Sequence, residues 1–317
     1  MASALGGFHL RGHALVVLVL ALLSLAHGFM GARRLMELYE PDPSEQLTYH
    51  NGTVLGGDIP VCILWYGRFT AAQKAIVSDF IVSLAAAPGD YPAPSVPQWW
   101  SSIDRLYLSK AEAAGKEADK KTRVVLSGQV SDEGCSLGRT LTLSQLLALS
   151  AAAKPAKGGV ALVLTAQDVA VEGFCMSRCG MHGSDAKAGT AYVWAGNSAA
   201  QCPGQCAWPF QQEEPPVLPP NGDLGMDGLV INVASMLAGA VTDPFGDGFY
   251  QGEHEAPLEA ATACPGVYSK GAYPGNAGEL LVDKATGASY NANGAHGRRY
   301  LLPALYDPAS SECATLV

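Results

Sequence analysis

Eight cysteines, every one of them downstream of an apolar N-terminal run, constrain this 317-residue chain more than any other feature. The run, Ala14 to Leu25, follows a weakly basic stretch containing Arg11 and leads into Ala26-His27-Gly28. A membrane-spanning helix needs about 20 apolar residues, so this run is too short to span and has the layout of a cleavable secretory signal. Residues 1–28 are read as a signal peptide, with cleavage after Gly28 and a mature start at Phe29. In an oxidising compartment an even set of cysteines is a disulfide framework. Cys175 and Cys179 form one Cys-x-x-x-Cys pair and Cys202 and Cys206 a second, expected to be oxidised between or within the pairs. The alternative for these four is a thiolate zinc site. Cys264 and Cys313 pair with each other or with this group. Cys62, in an apolar run, and Cys135, just before a helix, either bridge each other or remain as a buried thiol and a loop thiol. Sequence leaves the connectivity open.

The formal net charge is −9, and the basic residues cluster only at Arg33-Arg34 and at Lys120-Lys121 with Arg123. That balance excludes nucleic acid and anionic membrane as partners. With 48% hydrophobic and 15% charged residues the chain can bury a large core, unlike a disordered one. No later segment has the uninterrupted apolar length for membrane insertion once the signal is removed. Asn51-Gly52-Thr53 is an N-glycosylation acceptor near the expected mature start. Ala314-Thr315-Leu316-Val317 matches no retention signal, so export to the extracellular space is expected.

Residues 29–50, polar and carrying Pro41 and Pro43, read as a linker, and 51–317 as a single domain. Ile59 to Tyr66, Arg123 to Val130 and Gly159 to Thr165 have the apolar runs of buried strands. Thr190 to Ala195 alternates and suits a sheet edge. Helical spacing runs from Thr70 to Leu84, from Val96 to Leu108 with Trp99, Ile103 and Leu106 on one face, from Thr142, and over 228–241. Residues 109–121 read as a solvated helix extension. Beyond about 245 the chain is rich in Gly, Tyr and Pro. That region is expected to be loop-rich, held by disulfides and by packing of Tyr268, Tyr273, Tyr290 and Tyr300. Strands alternating with helices imply an α/β fold, a mixed and mostly parallel sheet with packed helices.

Chemistry is harder to find. His50, His182, His254 and His296 form no His-x-x-x-His pair, no Gly-x-Ser-x-Gly elbow occurs, and Ser184 is too close to His182 and Asp185 for a triad. Asp243, Asp247, Glu253, His254, Glu255 and Glu259 could bind a hard cation, or simply form an acidic, glycine-rich turn. Trp99, Trp100 and Trp208 could stack on sugars, or sit in the core.

Seven strings stand out: Leu47-Thr-Tyr-His-Asn-Gly52, Ile63-Leu-Trp-Tyr-Gly67, Gly173-Phe-Cys-Met-Ser-Arg-Cys-Gly180 and Gln201-Cys-Pro-Gly-Gln-Cys-Ala-Trp-Pro-Phe210, with Ala256-Pro-Leu-Glu-Ala-Ala261, Lys270-Gly-Ala-Tyr-Pro-Gly275 and Arg299-Tyr-Leu-Leu-Pro-Ala-Leu305. Together they resemble the plant Exordium family, also called the phosphate-induced protein family. They cover nearly all of the expected mature chain, and Cys62 and Cys135 are extra to the family's usual six cysteines. The resemblance implies an apoplastic protein that promotes cell expansion and growth, linked to brassinosteroid response and nutrient status. It carries over no catalytic residue and no cofactor. The partner it implies is an extracellular or cell-wall ligand.

A more remote resemblance lies in the helix ending Ala238-Gly-Ala-Val-Thr-Asp-Pro244. In secreted zinc peptidases of the zincin type a similar string, His-Glu-Leu-Ala-Glu-Ala-Val-Thr-Asp-Pro, supplies the metal helix. Here Ser235, Met236 and Gly239 stand at the positions of the His and the two Glu residues. The resemblance implies a zincin-like scaffold with its metal ligands lost, in which Ser235, Gly239 and Thr242 share one face near His182 and hold no zinc. The resulting expectation is a binding or regulatory protein without catalysis. The competing one is a cell-wall hydrolase or peptidase with an unrecognised active site.

Overall fold

The computed structural model describes residues 46–113, 122–212, 214, 216–253 and 257–317. The expected signal peptide, residues 29–45 of the expected linker and most of the expected helix extension after Ala113 lie outside the described residues. The last linker residues belong to the fold instead. Leu47 is buried, and β1 (Thr48–Tyr49) pairs antiparallel with a later strand, Phe249–Tyr250.

Asp58–Tyr66 forms β2, whose last six residues are buried without a break. A strand covered on both faces is apolar throughout rather than alternating, and the run Val61-Cys-Ile-Leu-Trp-Tyr66 of this strand is of that kind. Its partners are β3 (Arg123–Asp132) on one side and β4 (Val160–Thr165) on the other, both parallel to it. Between β2 and β3 run α1 (Ala71–Leu84) and α2 (Val96–Ile103), the latter continuing through a π-helical turn to Leu108 and on to Ala113. Thr70 opens α1 with a capping box: its Oγ1 accepts from Gln73 N, and Gln73 Oε1 accepts from Thr70 N. Trp99 and Trp100 are core residues, their indole N–H groups donating to the carbonyls of Pro303 and Thr122. Neither is available to a sugar.

α3 (Leu143–Ala152) links β3 to β4. The sheet is completed by β5 (Gly180–Asp185) and β6 (Thr190–Gly196) in the order β3-β2-β4-β6-β5, with β5 antiparallel and the other four strands parallel. This is the expected mixed, mostly parallel sheet, with one correction. β6 is not the edge: all seven of its residues are buried between β4 and β5. The edge is β5, Gly-Met-His-Gly-Ser-Asp, which lacks the β-branched and aromatic residues that mark a strand in sequence. Its strand state comes from pairing with β6.

α4 (Leu224–Thr242) packs against β5 and β6 and is almost entirely buried. By length and apolarity it could cross a membrane; here it is the central core helix. It begins four residues before its apolar periodicity does. Asp223 caps it by accepting from Met226 N, while Gly225 and Gly228, poor helix formers, lie where a Cβ would strike Asn197 and Ala207. The chain after α4 is loop-rich as expected, held by two- and three-residue strand pairs such as Leu281–Val282 with Ser289–Tyr290. Tyr268 and Tyr300 are buried and Tyr290 lies under Arg299, but Tyr273 is exposed on a turn. Asn291 pins this region by donating to the carbonyls of Tyr268 and Leu302 and accepting from Leu302 N.

Candidate functional site

The cysteines resolve the alternatives left by sequence. Cys175 bonds to Cys202, Cys179 to Cys206 and Cys264 to Cys313, so the two Cys-x-x-x-Cys pairs are cross-linked to each other as disulfides rather than arranged as a zinc site. Cys62 and Cys135 are unbridged, a buried strand thiol and a loop thiol that is buried as well. The first two bridges tie the entry of β5 to the segment before α4, and Asn232 on α4 donates to the Cys206 carbonyl.

β5 and α4 meet at Gly239. A Cβ there would lie 2.4 Å from Glu259 Oε2 and 2.7 Å from His182 Nε2. The glycine is therefore the seat of a buried pair: His182 Nε2 donates to the Glu259 carboxylate, 2.7 and 2.8 Å from its two oxygens. The side chains are only 13% and 6% exposed. His182 Nδ1 is buried with no hydrogen-bond partner among the described residues. Burial opposes charge on His182, but the Glu259 hydrogen bond and charge, aided by Asp243, carry its pKa above the ordinary histidine value. Asp243, also buried, is raised by desolvation; the Gly248 N–H bond to its Oδ1 lowers it, and Glu259 raises it further.

This pair borders a cavity of about 420 Å³. One wall is β5 from Gly180 to Ser184; Met236, Asp243, Phe245 and Pro257 close other sides. The face of α4 turned to β5 is thus Met236, Gly239 and Asp243, spaced for one helix side. The expected face of Ser235, Gly239 and Thr242 is only partly right. Ser235 Oγ donates to Ile231 O and Thr242 Oγ1 to Ala238 O, each turned back on its own helix. A zinc ion does not fit Ser235, Met236 and Gly239. Ser235 offers a hydroxyl bound to backbone and Gly239 no side chain where a catalytic zinc requires nitrogen, oxygen or sulfur ligands, and the Met236 thioether cannot act as a general base.

The acidic stretch after α4 divides. Asp243 and Glu259 are buried, Asp247 and Glu253 are exposed, and His254 and Glu255 lie outside the described residues. Among the described residues no three His, Cys, Asp or Glu side chains are grouped to hold a metal ion. Asn51 is exposed at φ 63°, with Thr53 N donating to Asp247 Oδ1, so the acceptor triplet is on the surface. Trp208 is half-buried and shares an apolar cleft of about 480 Å³ with Tyr273.

A larger cavity, about 710 Å³, lies near the other end of α4 and includes His296, Arg298 and Arg299. Its cationic groups are committed: Arg298 and His296 to Asp79, and Arg299 to Asp283. Behind it Asp227 accepts from Asn221 N and from Asn221 Nδ2 at 2.8 and 2.6 Å. Burial pushes the Asp227 pKa up to about 7 against those bonds. Every polar atom of Asp227 is met by a neighbour, which makes it a structural group.

Sequence alone missed the His182–Glu259 pair. The residues are 77 apart in the chain, and the one local signal was a glycine on the inner face of an otherwise apolar helix.

Residues 47–316 match the family model described as the phosphate-induced protein 1 conserved region. The chain is 50% identical over 308 residues to Protein PHOSPHATE-INDUCED 1 of Nicotiana tabacum, covering 93% of this chain and 96% of the relative. It is 48% identical over 318 residues to Protein EXORDIUM of Arabidopsis thaliana, covering 96% and 100%. Identity to Protein EXORDIUM-like 1 of Arabidopsis thaliana is 48% over 284 residues, covering 84% and 89%. No solved structure matches the chain. The family-model match from residue 47 to 316 and the identities to these relatives show that this chain belongs to the Exordium, or phosphate-induced, protein family.

Proposed function

We propose that this chain is a secreted plant protein of the apoplast that regulates cell expansion and growth by binding an extracellular ligand, without catalysing a reaction. The observation that carries the non-catalytic half is the seat at Gly239. Where the resembling peptidases present a metal-binding carboxylate, this helix presents a hydrogen atom, and the space is filled by Glu259 paired with His182. The buried pair crowds the position from which a carboxylate on this helix would project. The remaining cavity is of the size and mixed lining of a ligand site.

Three features support the compartment. The apolar leader has the form of a secretory signal, Asn51 is on the surface, and the six bridged cysteines suit an oxidising space. The growth role rests on family membership.

The test is the protein recovered from the extracellular fluid of plant cells. Its N-terminus should begin at Phe29 or within a few residues, deglycosylation should lower its mass, and a plant lacking it should show altered cell expansion. The same sample should carry no stoichiometric zinc and turn over neither peptides nor glycans. Peptidase activity abolished by changing Met236 or Glu259 would instead establish the hydrolase reading.

A further inference from the structure

The cavity beside His182 runs along an open sheet edge, and the two together define what can bind. β5 pairs only with β6; among the described residues no strand meets its other side. The bond from Gly196 N to the Cys179 carbonyl fixes the alternation of the antiparallel ladder. Met181, Gly183 and Asp185 therefore bond inward to β6, and Gly180, His182 and Ser184 turn their N–H and C=O groups outward. Sheet edges are normally blunted by Lys, Pro or a bulge, and β5 has none of these. Its six residues are half-buried rather than exposed, and Gly180 to Ser184 line the cavity as one side of a groove.

The groove also has a charge. Glu259 and Asp243 bring two carboxyl groups to His182's single imidazole. Wherever the proton of the His182–Glu259 pair sits, one negative charge is left uncompensated while Asp243 is ionised. Met236 and Phe245 supply apolar walls beside it. A long side chain with an aliphatic stem and a cationic head matches both features.

We propose that the groove along β5 binds an extended peptide, which adds as a sixth strand to the sheet and places a lysine or arginine side chain in the cavity against Glu259 and Asp243. Main-chain hydrogen bonds to Gly180, His182 and Ser184 supply affinity, and the acidic cavity supplies selectivity. Six residues of strand correspond to a peptide contact of about 20 Å. This deepens the reading of the chain as a non-catalytic binding protein and rests on it.

The test uses the mature glycosylated protein and four pools of acetylated, fluorescent octapeptides. Each pool has randomised flanks and one fixed central residue: lysine, arginine, norleucine or glutamate. In fluorescence anisotropy the lysine and arginine pools should bind about tenfold more tightly than norleucine, as expected for one charge-assisted contact, with glutamate weakest. N-methylating alternate backbone positions of the lysine pool should abolish binding in one of the two registers. Glu259→Gln should bring the lysine and norleucine pools together, with circular dichroism confirming that the variant is folded. Equal binding of lysine and norleucine, no binding of any pool, or indifference to N-methylation would each overturn the proposal, and the first and last need no altered protein. Mass spectrometry of the same samples separates the two readings: cleaved peptides overturn the non-catalytic assignment, whereas intact unbound peptides overturn only the docking site.

Discussion

Helix α4 carries a buried polar site near each end, and the two are built in opposite ways. At the N-terminal end Asp227 is held by the backbone and side chain of one neighbour, Asn221, which also donates to Arg299 O and accepts from Arg298. At the C-terminal end His182 and Glu259 meet over a missing side chain, leave the imidazole Nδ1 unpartnered and border a cavity under an open strand edge. Both sites contain shifted carboxyl or imidazole groups. The shift alone therefore does not mark a binding site; the difference lies in whether the surrounding groups exhaust the hydrogen-bonding capacity.

The largest effect expected from that contrast is on stability against pH. Asp227 titrates near 7 when folded but near 4 when unfolded, so the folded state holds the extra proton between those values. Stability should fall as pH rises from about 4 to about 7, by on the order of 4 kcal/mol at most from this group. His182, also raised, acts in the same direction: its contribution is full below the ordinary histidine pKa and is lost as pH rises through the folded value. Urea unfolding across this range should show the slope, and Asp227→Asn should flatten it. A wild-type profile that rises from pH 4 to 7 would break the structural reading of Asp227.

Next in size is the bridge at the entry of β5. Replacing Cys179 and Cys206 with serine opens a disulfide whose ends are 27 residues apart, and should cost about 3 kcal/mol. Hydrogen exchange should show the loss concentrated in β5 and the cavity rather than around Asp227. Uniform loosening would mean that the two ends of α4 are one cooperative unit.

Glu259→Gln should cost about 1–3 kcal/mol, because it leaves a buried imidazole facing a weaker acceptor. It should lower the His182 pKa, as burial then acts with less opposition. An NMR titration of His182 distinguishes this from general destabilisation, in which Asp227 would move as well.

The smallest stability change belongs to Gly239→Ala. Alanine favours the helix by about 1 kcal/mol, offsetting part of the strain of displacing both the end of Glu259 and the buried His182 ring, 2.4 and 2.7 Å from where its Cβ would lie. Net stability should fall by about 1 kcal/mol, while the His182 titration shifts down as the pair is pushed apart. An unchanged titration would mean that the pair does not depend on its glycine seat.

What could be read in advance followed from signals carried within single segments. The apolar runs of β2 and β4, the Thr70 capping box and the alternation of strands with helices all depend on neighbours a few residues away. So did the inference that Ser235 and Gly239 are unfit as zinc ligands and Met236 as a general base, since that turns on side-chain chemistry alone. β5 was invisible because its Gly-rich sequence has no strand preference of its own, and only the ladder with β6 makes it a strand. The start of α4 was missed for a related reason: Gly225 and Gly228 weaken the helix locally and are required by contacts with Asn197 and Ala207 far along the chain.

The sequence by itself determined the fold class, the family and the cysteines available for bridging, because composition, periodicity and motif strings are properties of the chain as written. Tertiary structure alone decided which cysteine joins which, which strand forms the edge, and that His182 meets Glu259 across Gly239. Those are distances between residues remote in sequence. They are set by how the sheet, α4 and the loops pack, and no local preference encodes them.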